Sequence, residues 1–228
     1  MSLPESFKSK MAAKGCSSAA MGAFERNYML LTSGAATTVP EADISPVTEL
    51  PTMEGMEVPE IDMQATLSQT AVLKLNGGLG TSMGLEKAKS LLEVKDGKAF
   101  LDLIAEQIKH TRTTFGSNVK FILMNSFSTS EDTKAHLATH HGDLLAEPFI
   151  ELMQNMSPKV DAETLEPATY AENPEMEWCP PGHGDIYPSL LGSGMLDKLK
   201  AEGVKYLFVS NSDNLGATLS LPLLTYFA

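Results

Sequence analysis

The sequence predicts an α/β protein built around a mostly parallel sheet, with a short helical and extended arm in front of it. Three observations carry that expectation. Apolar runs of strand length alternate with stretches at helical spacing, the pattern of strands joined by crossover helices. The three strongest runs are each followed directly by an asparagine: Asn76 after Leu75, Asn125 after Met124 and Asn211 after Ser210. Four glycines, Gly77, Gly78, Gly80 and Gly84, then open directly behind the first run. In open α/β sheets ligands bind beyond the carboxyl ends of the strands, so these polar ends mark a candidate site on position alone.

The elements follow in order. Met21, Phe24, Met29 and Leu31 recur with few breakers and predict a helix over residues 19–31. Residues 33–69 carry Pro40, Pro46, Pro51 and Pro59 and little periodicity, which reads as an extended arm or a linker. The N-terminal helix and acidic arm are assigned to residues 1–66 and the sheet domain to residues 67–228. Residues 71–75 and 119–124 read as buried strands, and residues 91–94 as a short one closed by an Asp96-Gly97 turn. Phe100, Leu101, Ile104 and Ile108 give a helix to about Thr111. Ser128 with Glu131 three residues on matches a capping box opening a helix towards His140. Residues 205–209 read as a third core strand. The chain stops at Ala228 inside a further helical stretch, and the sheet is expected to be incomplete at that end.

Composition narrows the partners. The formal net charge is −12, which argues against a nucleic-acid or anionic-membrane partner, since either wants a basic face. Seven acidic residues, Glu41, Asp43, Glu49, Glu54, Glu57, Glu60 and Asp62, crowd into the arm, and no Lys or Arg lies between Arg26 and Lys74. Much of the charge therefore describes the arm and not the site, where an anionic ligand would need a few local donors. Two distant cysteines, Cys16 and Cys179, form no disulfide framework or zinc spacing and fit a reducing compartment. With no apolar leader or membrane-length run, the default expectation is cytoplasmic. Nothing assigns an oligomeric state.

Four motifs carry chemistry. Glycines behind a strand let backbone N–H groups approach a ligand closely, which suits a polyphosphate; a tight turn with no ligand is the plainer alternative. No Gly-Lys-Ser/Thr follows, so the loop is not a Walker A loop, and Gly78, Gly80 and Gly84 are spaced one residue too long for the dinucleotide fingerprint. Lys87 and Lys89 follow the loop, either as phosphate-directed ammonium groups or as solvated surface lysines. Residues 178–185, Trp-Cys-Pro-Pro-Gly-His-Gly-Asp, hold a single histidine, His183, between Gly182 and Gly184. That is either a positioned imidazole or a plain turn, and Cys179 reads as loop packing more than as a nucleophile. Residues 210–216, Ser-Asn-Ser-Asp-Asn-Leu-Gly, put Asp213 beyond a strand end, where a carboxylate can share Mg²⁺ with substrate oxygens or simply cap a turn. His136 and His140 lack a third ligand and read as a solvated helix face. Gln154 is uninformative alone, although an amide can pair with a base edge.

Taken together and in this order, VLKLNGGLGTSMG, KSLLEVKDGKAFLD, PPGHGD and SNSDNLG resemble the eukaryotic-type UTP–glucose-1-phosphate uridylyltransferases over about Val72 to Gly216. Related UDP-sugar and UDP-N-acetylhexosamine pyrophosphorylases usually place an arginine where this chain has Ser82-Met83, which favours the glucose family. The resemblance implies a Rossmann-like nucleotidyltransferase domain over residues 67–228, truncated here, with the arm packed on it. It implies UTP contacts at Leu75, Asn76, Gly77 and Gly78, and a phosphate-binding Lys89. Gln154 corresponds to the uracil reader, with Gly182 beside it. His183 falls at the sugar phosphate, Asn211 and Ser212 on the sugar side, and Asp213 at the metal. The implied reaction joins UTP and glucose 1-phosphate into UDP-glucose and pyrophosphate with Mg²⁺, by in-line attack at the α-phosphorus. Lys89, His183 and Asp213 are the residues expected to act on it, and no protein nucleophile is required.

There are departures. Ala88 stands where many members have proline, and Ser220 where aspartate is expected. The family's chains are longer, and a second phosphate-binding lysine lies in the part with no counterpart here. The alternatives are a non-catalytic uridine-nucleotide-binding fragment or a broader UDP-sugar pyrophosphorylase.

Overall fold

The computed structural model describes residues 2–50, 52–53, 60–79 and 87–228. Two helices open the chain, α1 (Glu5–Ala13) and α2 (Ser18–Thr32). Sequence reading finds α2 but not α1, whose apolar signal is only Phe7 and Met11, four residues apart among charges. Both side chains are fully buried, and the Phe7 ring lies 5.2 Å from Phe24 and 5.1 Å from Tyr28 of α2. Ser17 caps α2 by accepting the Ala20 N–H. The arm that follows is not packed as expected: Val39, Ile44, Val47 and Leu50 are all exposed. Its apolar residues are too sparse to form a face, and apart from one short turn at Glu41–Asp43 its described part up to Leu50 has no regular backbone pairing.

Helix α3 (Met63–Ser68), capped by Asp62, leads into strand β1 (Thr70–Asn76). Strands β2 (Glu93–Lys95) and β3 (Lys98–Ala99) form a hairpin closed by Asp96-Gly97, both at positive φ (52° and 75°), the geometry of a two-residue primed turn. The second strand thus starts at Glu93, since Leu91 belongs to a preceding 3₁₀ turn, Lys89–Leu91. Helix α4 (Phe100–Phe115) runs past the expected Thr111 and stops at Gly116 in the left-handed region. Strand β4 (Lys120–Asn125) leads to α5 (Ser130–His140), α6 (Gly142–Leu145) and β5 (Glu151–Met153). An antiparallel pair, β6 (Ser157–Pro158) and β7 (Trp178–Cys179), then precedes α7 (Ile186–Gly192), α8 (Met195–Ala201), β8 (Tyr206–Asn211) and α9 (Leu221–Phe227).

The main sheet has the order β5-β4-β1-β8 with every pairing parallel. Strands β1 and β4 are central and buried on both faces, as continuous apolar runs require. On one face Val72, Phe121 and Leu123 pack against Leu101, Ile104 and Ile108 of α4 and Leu137 of α5. On the other, Ala71, Leu73, Ile122 and Met124 meet Ile186 and Leu190 of α7 and Leu199 of α8. Two expectations shift here. Strand β8 is an edge rather than a core strand, with Leu207 and Val209 exposed, and β5 is a strand that sequence reading did not assign.

The capping box at Ser128 does not form. Helix α5 starts at Ser130, and the Ser126 hydroxyl instead receives the Ser128 N–H in a tight turn that also ties Thr129 Oγ1 to the Ser126 N–H. Nor is His136 on a solvated face. His136 and His141 both donate to Asp102 Oδ1, at 2.7 and 2.8 Å, while Asp102 Oδ2 accepts the Ala99 N–H at 2.8 Å. Burial alone would raise the Asp102 pKa, but the Ala99 N–H and the two imidazoles outweigh it and hold the carboxyl below its ordinary value. A depressed carboxylate contributes stability above its unfolded pKa, and that contribution is lost as pH falls through the folded value. Urea unfolding should therefore show stability falling below about pH 4. In Asp102→Asn that acid-dependent loss should shrink while stability at neutral pH drops by about 1–3 kcal/mol. An unchanged acid limb in the variant would assign the loss to other carboxylates.

Candidate functional site

The site lies at the carboxyl ends of β5, β4, β1 and β8. Strand β1 delivers Leu75 and Asn76 and then releases the chain into Gly77 and Gly78. The loop closes again where Leu79 bridges Ala88 and the Lys89 N–H donates to the Gly78 carbonyl at 3.2 Å. Gly80, Thr81, Ser82, Met83 and Gly84 lie outside the described residues, as does the family distinction resting on Ser82-Met83. The neck places Lys89 at the mouth of the loop, its Nζ 3.9 Å from Asp213 Oδ2. Lysine and carboxylate, 124 positions apart in sequence (213 minus 89), thus face one opening while both stay partly solvated.

A cleft of about 310 Å³ opens beside the loop, lined among others by Leu75, Gly77, Gly78, Gln154, Gly182 and His183. Gln154 follows β5. Its N–H donates to the Asn125 carbonyl at 2.7 Å and its Nε2 to the Gly182 carbonyl at 2.9 Å. The side chain is buried, and its Oε1 lies so close to Gly77 that a Cβ there would sit 2.5 Å from it. Gly182 needs its glycine for a second reason, a φ of 97° that turns the chain into the His183–Asp185 turn. His183 itself is exposed on the cleft side of that turn.

Two expected ligand residues are placed differently. Asn76 is 2% exposed, and its side chain is occupied: Nδ2 donates to Asn125 Oδ1 (2.7 Å) and Thr133 Oγ1 (3.0 Å), and Oδ1 accepts from Ser212 Oγ (3.0 Å). Asn125 passes the chain on to Glu151 Oε1 at 2.7 Å, which also accepts from Ser130 Oγ. The result is a row of hydrogen bonds, buried from Ser212 through Asn76 to Asn125, that crosses the ends of β8, β1 and β4 and reaches the part-buried first residue of β5. The side chains of Asn76 and Ser212 are thus struts within the sheet end, whereas Asn211 and Asp213 are exposed. Such a satisfied network holds the loops it joins in one arrangement.

Sequence reading also missed what locks the cleft wall. Asp185 is buried and accepts from the Asn155 N–H (2.7 Å), Asn155 Nδ2 (3.0 Å) and Ser189 Oγ (2.7 Å), so it bolts the residue after Gln154 to the histidine turn. It stood in the motif, but no local signal could name its partner. Cys179, set aside as a nucleophile, donates Sγ–H to the Ser157 carbonyl, and burial raises its pKa, which keeps it a thiol. The two substitutions against the family pattern find explanations. Ala88 holds φ −55°, within the range a proline ring imposes. Ser220 is the N-cap of α9, accepting the Leu223 N–H, a position where serine and aspartate are comparably good.

The family model for UTP–glucose-1-phosphate uridylyltransferase matches residues 21–228. A probable UTP–glucose-1-phosphate uridylyltransferase of Schizosaccharomyces pombe is 46% identical over 161 residues, covering 70% of this chain and 31% of the relative. The Solanum tuberosum enzyme of the same name is 40% identical over 189 residues, covering 82% of this chain and 37% of the relative. Among solved structures, a mutant UDP-glucose pyrophosphorylase of Leishmania major in complex with UDP-glucose superposes with a TM-score of 0.92 at 44% identity. That match covers 98% of this chain and 46% of the other. The chain therefore spans about a third of the length of the curated relatives it matches. By the family model, the sequence identities and the shared fold, the chain belongs to the UTP–glucose-1-phosphate uridylyltransferase family.

Proposed function

We propose that this chain carries the uridine-nucleotide side of an enzyme that makes UDP-glucose and pyrophosphate from UTP and glucose 1-phosphate. The observation that carries the reading is the cleft in which Gln154, Gly77, Gly78 and Gly182 meet, with Lys89 and Asp213 across the loop mouth. Gln154 donates one Nε2 proton to Gly182 and retains Oε1 and its second proton. That edge complements the N–H and carbonyl of a uracil face. The backbone at Gly77 and Gly78, free of side chains, lets the nucleotide lie against the loop.

Lys89 then meets the phosphates as a point charge, which the chain's overall negative charge does not otherwise supply. His183, exposed at the far side of the cleft, contacts the sugar phosphate, with Asn211 on the sugar side. The sugar phosphate oxygen attacks the α-phosphorus in line and pyrophosphate leaves. Positioning and charge balance do the catalysis, with no covalent intermediate and no role for Cys179. Asp213 is the residue that would hold Mg²⁺. Among the described residues no three His, Cys, Asp or Glu side chains cluster as a metal cage, so the ion would be shared with phosphate oxygens, which is how Mg²⁺ is commonly bound. Bound there, it neutralises charge on the transferring phosphates. Both cysteines are free, which supports a reducing, cytoplasmic compartment. No helix among the described residues is long and apolar enough to cross a membrane.

Calorimetry with UTP, CTP and ATP tests the base assignment. UTP should bind at least about tenfold tighter than either competitor, a difference of about 1.4 kcal/mol. Equal affinity for ATP would sink the uracil pocket. For the reaction, pyrophosphate release from UTP should depend on glucose 1-phosphate. An α-thio-labelled UTP should give inverted stereochemistry at phosphorus, whereas retention would demand a protein nucleophile.

A further inference from the structure

Lys74 is the one charged side chain of β1, and it is only 2% exposed. Its ammonium donates to Ser210 Oγ at 2.7 Å and to the Ala217 carbonyl at 2.8 Å, with the Phe208 ring 5.8 Å away. Among the described residues no carboxylate lies within ion-pair distance of it. A buried ammonium held by neutral acceptors is costly, and an apolar side chain in this strand would avoid that cost. What the charge achieves is geometric. Ser210 is the register partner of Lys74 on β8, and Ala217 lies seven residues further on. The segment between them, residues 211–216, contains Asp213. Two positions on from Lys74, on the same face of the strand, Asn76 makes the next rung to Ser212.

We propose that Lys74 is a positioning residue that clamps both ends of the 211–216 segment to β1 and so sets Asp213 opposite Lys89. This rests on the proposed function only in giving Asp213 its role towards metal and sugar phosphate; the clamp itself is testable without it. The same ammonium should be sensitive to alkali, because burial pulls its pKa down to about 8. From α4, His110 is the titratable group that lines the cavity of about 220 Å³ beside Lys74. Strand β8 and residues 217–219 present only Phe208, Ser210, Ala217, Thr218 and Leu219 to it, none of them charged.

The test compares the full chain with Lys74→Met and Lys74→Arg by amide hydrogen exchange and by calorimetry. In Lys74→Met the amides of residues 212–218 should exchange at least about tenfold faster while those of β4 stay within about twofold, because only the clamped segment is released. Lys74→Arg, whose guanidinium has the neighbouring cavity to enter and keeps donors for both acceptors, should restore most of the protection. Raising the pH of the wild-type chain through about 8 should loosen the same segment beyond the intrinsic rise in exchange, and should do so equally in His110→Gln. Uridine affinity should be unchanged in Lys74→Met, while the gain in UDP-glucose affinity on adding Mg²⁺ should fall about tenfold. Unchanged exchange over 212–218, or loosening spread evenly over the sheet, would overturn the clamp. If Lys74→Met does not fold, the wild-type pH response and Lys74→Arg decide the matter. A wild-type chain that binds no uridine but loses 212–218 protection in Lys74→Met would sink the proposed function and leave the clamp standing.

Discussion

Lys89→Ala should cost the chain about 10- to 100-fold in UTP affinity while changing uridine affinity by less than about twofold, a loss of about 1.4–2.7 kcal/mol assigned to a charge-assisted contact with phosphate. The geometry makes the effect selective. Lys89 presents its ammonium at the mouth of the loop beside Asp213, while the groups assigned to the base line the cleft. Its present companion, Asp213 Oδ2 at 3.9 Å, is a long and partly solvated ion pair, so releasing the lysine costs little stability. Calorimetry with both ligands at fixed ionic strength reads the split directly. Equal losses for uridine and UTP would remove Lys89 from the phosphates and make it a determinant of the loop's shape. The reverse charge change has the opposite sign: Asp213→Asn should bind UTP without metal slightly more tightly, because one anion leaves the mouth.

Gly77→Ala should abolish most nucleotide binding for a different reason. The new Cβ would stand 2.5 Å from Gln154 Oε1 and 3.4 Å from Ser126 Cβ. Gln154 is buried and tied through Nε2 to the Gly182 carbonyl, so it can yield only by breaking that bond and leaving the base edge. A loss of about 10- to 100-fold should therefore appear for uridine and UTP alike, with about 1–3 kcal/mol of destabilisation from overpacking. Gly78→Ala is the matched control, because among the described residues a Cβ there meets nothing within 4 Å. Its fold stability should stay close to that of the parent, so any loss of UTP affinity would report backbone approach of the phosphates. A Gly77→Ala chain that binds uridine normally would show that Gln154 does not read the base.

Much of this was legible in the chain alone, and the reasons are local. Continuous apolar runs in β1 and β4 announce strands buried on both faces, and α4 repeats its apolar residues at helical spacing. The Asp96-Gly97 turn is read from backbone conformations that few other residues adopt, whereas Gly77 owes its glycine to the close approach of Gln154. The elements that escaped notice had weak local signals. Helix α1 buries only two side chains, and β5 is three residues long, identified by its pairing with β4 and not by its own pattern. The capping box at Ser128 failed because the Ser126–Thr129 turn supplied better partners at the same place.

The sequence by itself determined the fold class and the order of the motifs, and it named the glycine loop, Lys89, the histidine turn and Asp213 as candidates for the site, with Gln154 added by the family resemblance. Only the tertiary structure decided which of these side chains face the cleft and which hold it together. Asn76 and Ser212 look like ligands in the motif, yet Ser212 Oγ donates to Asn76 Oδ1 across 136 residues of chain and the Asn76 amide is taken by Asn125 and Thr133. Lys74 and Asp185 look incidental, yet each secures a loop of the site. The physical reason is that a buried polar group must find partners, and those partners are chosen by strand register and packing between distant segments, which no local spacing records.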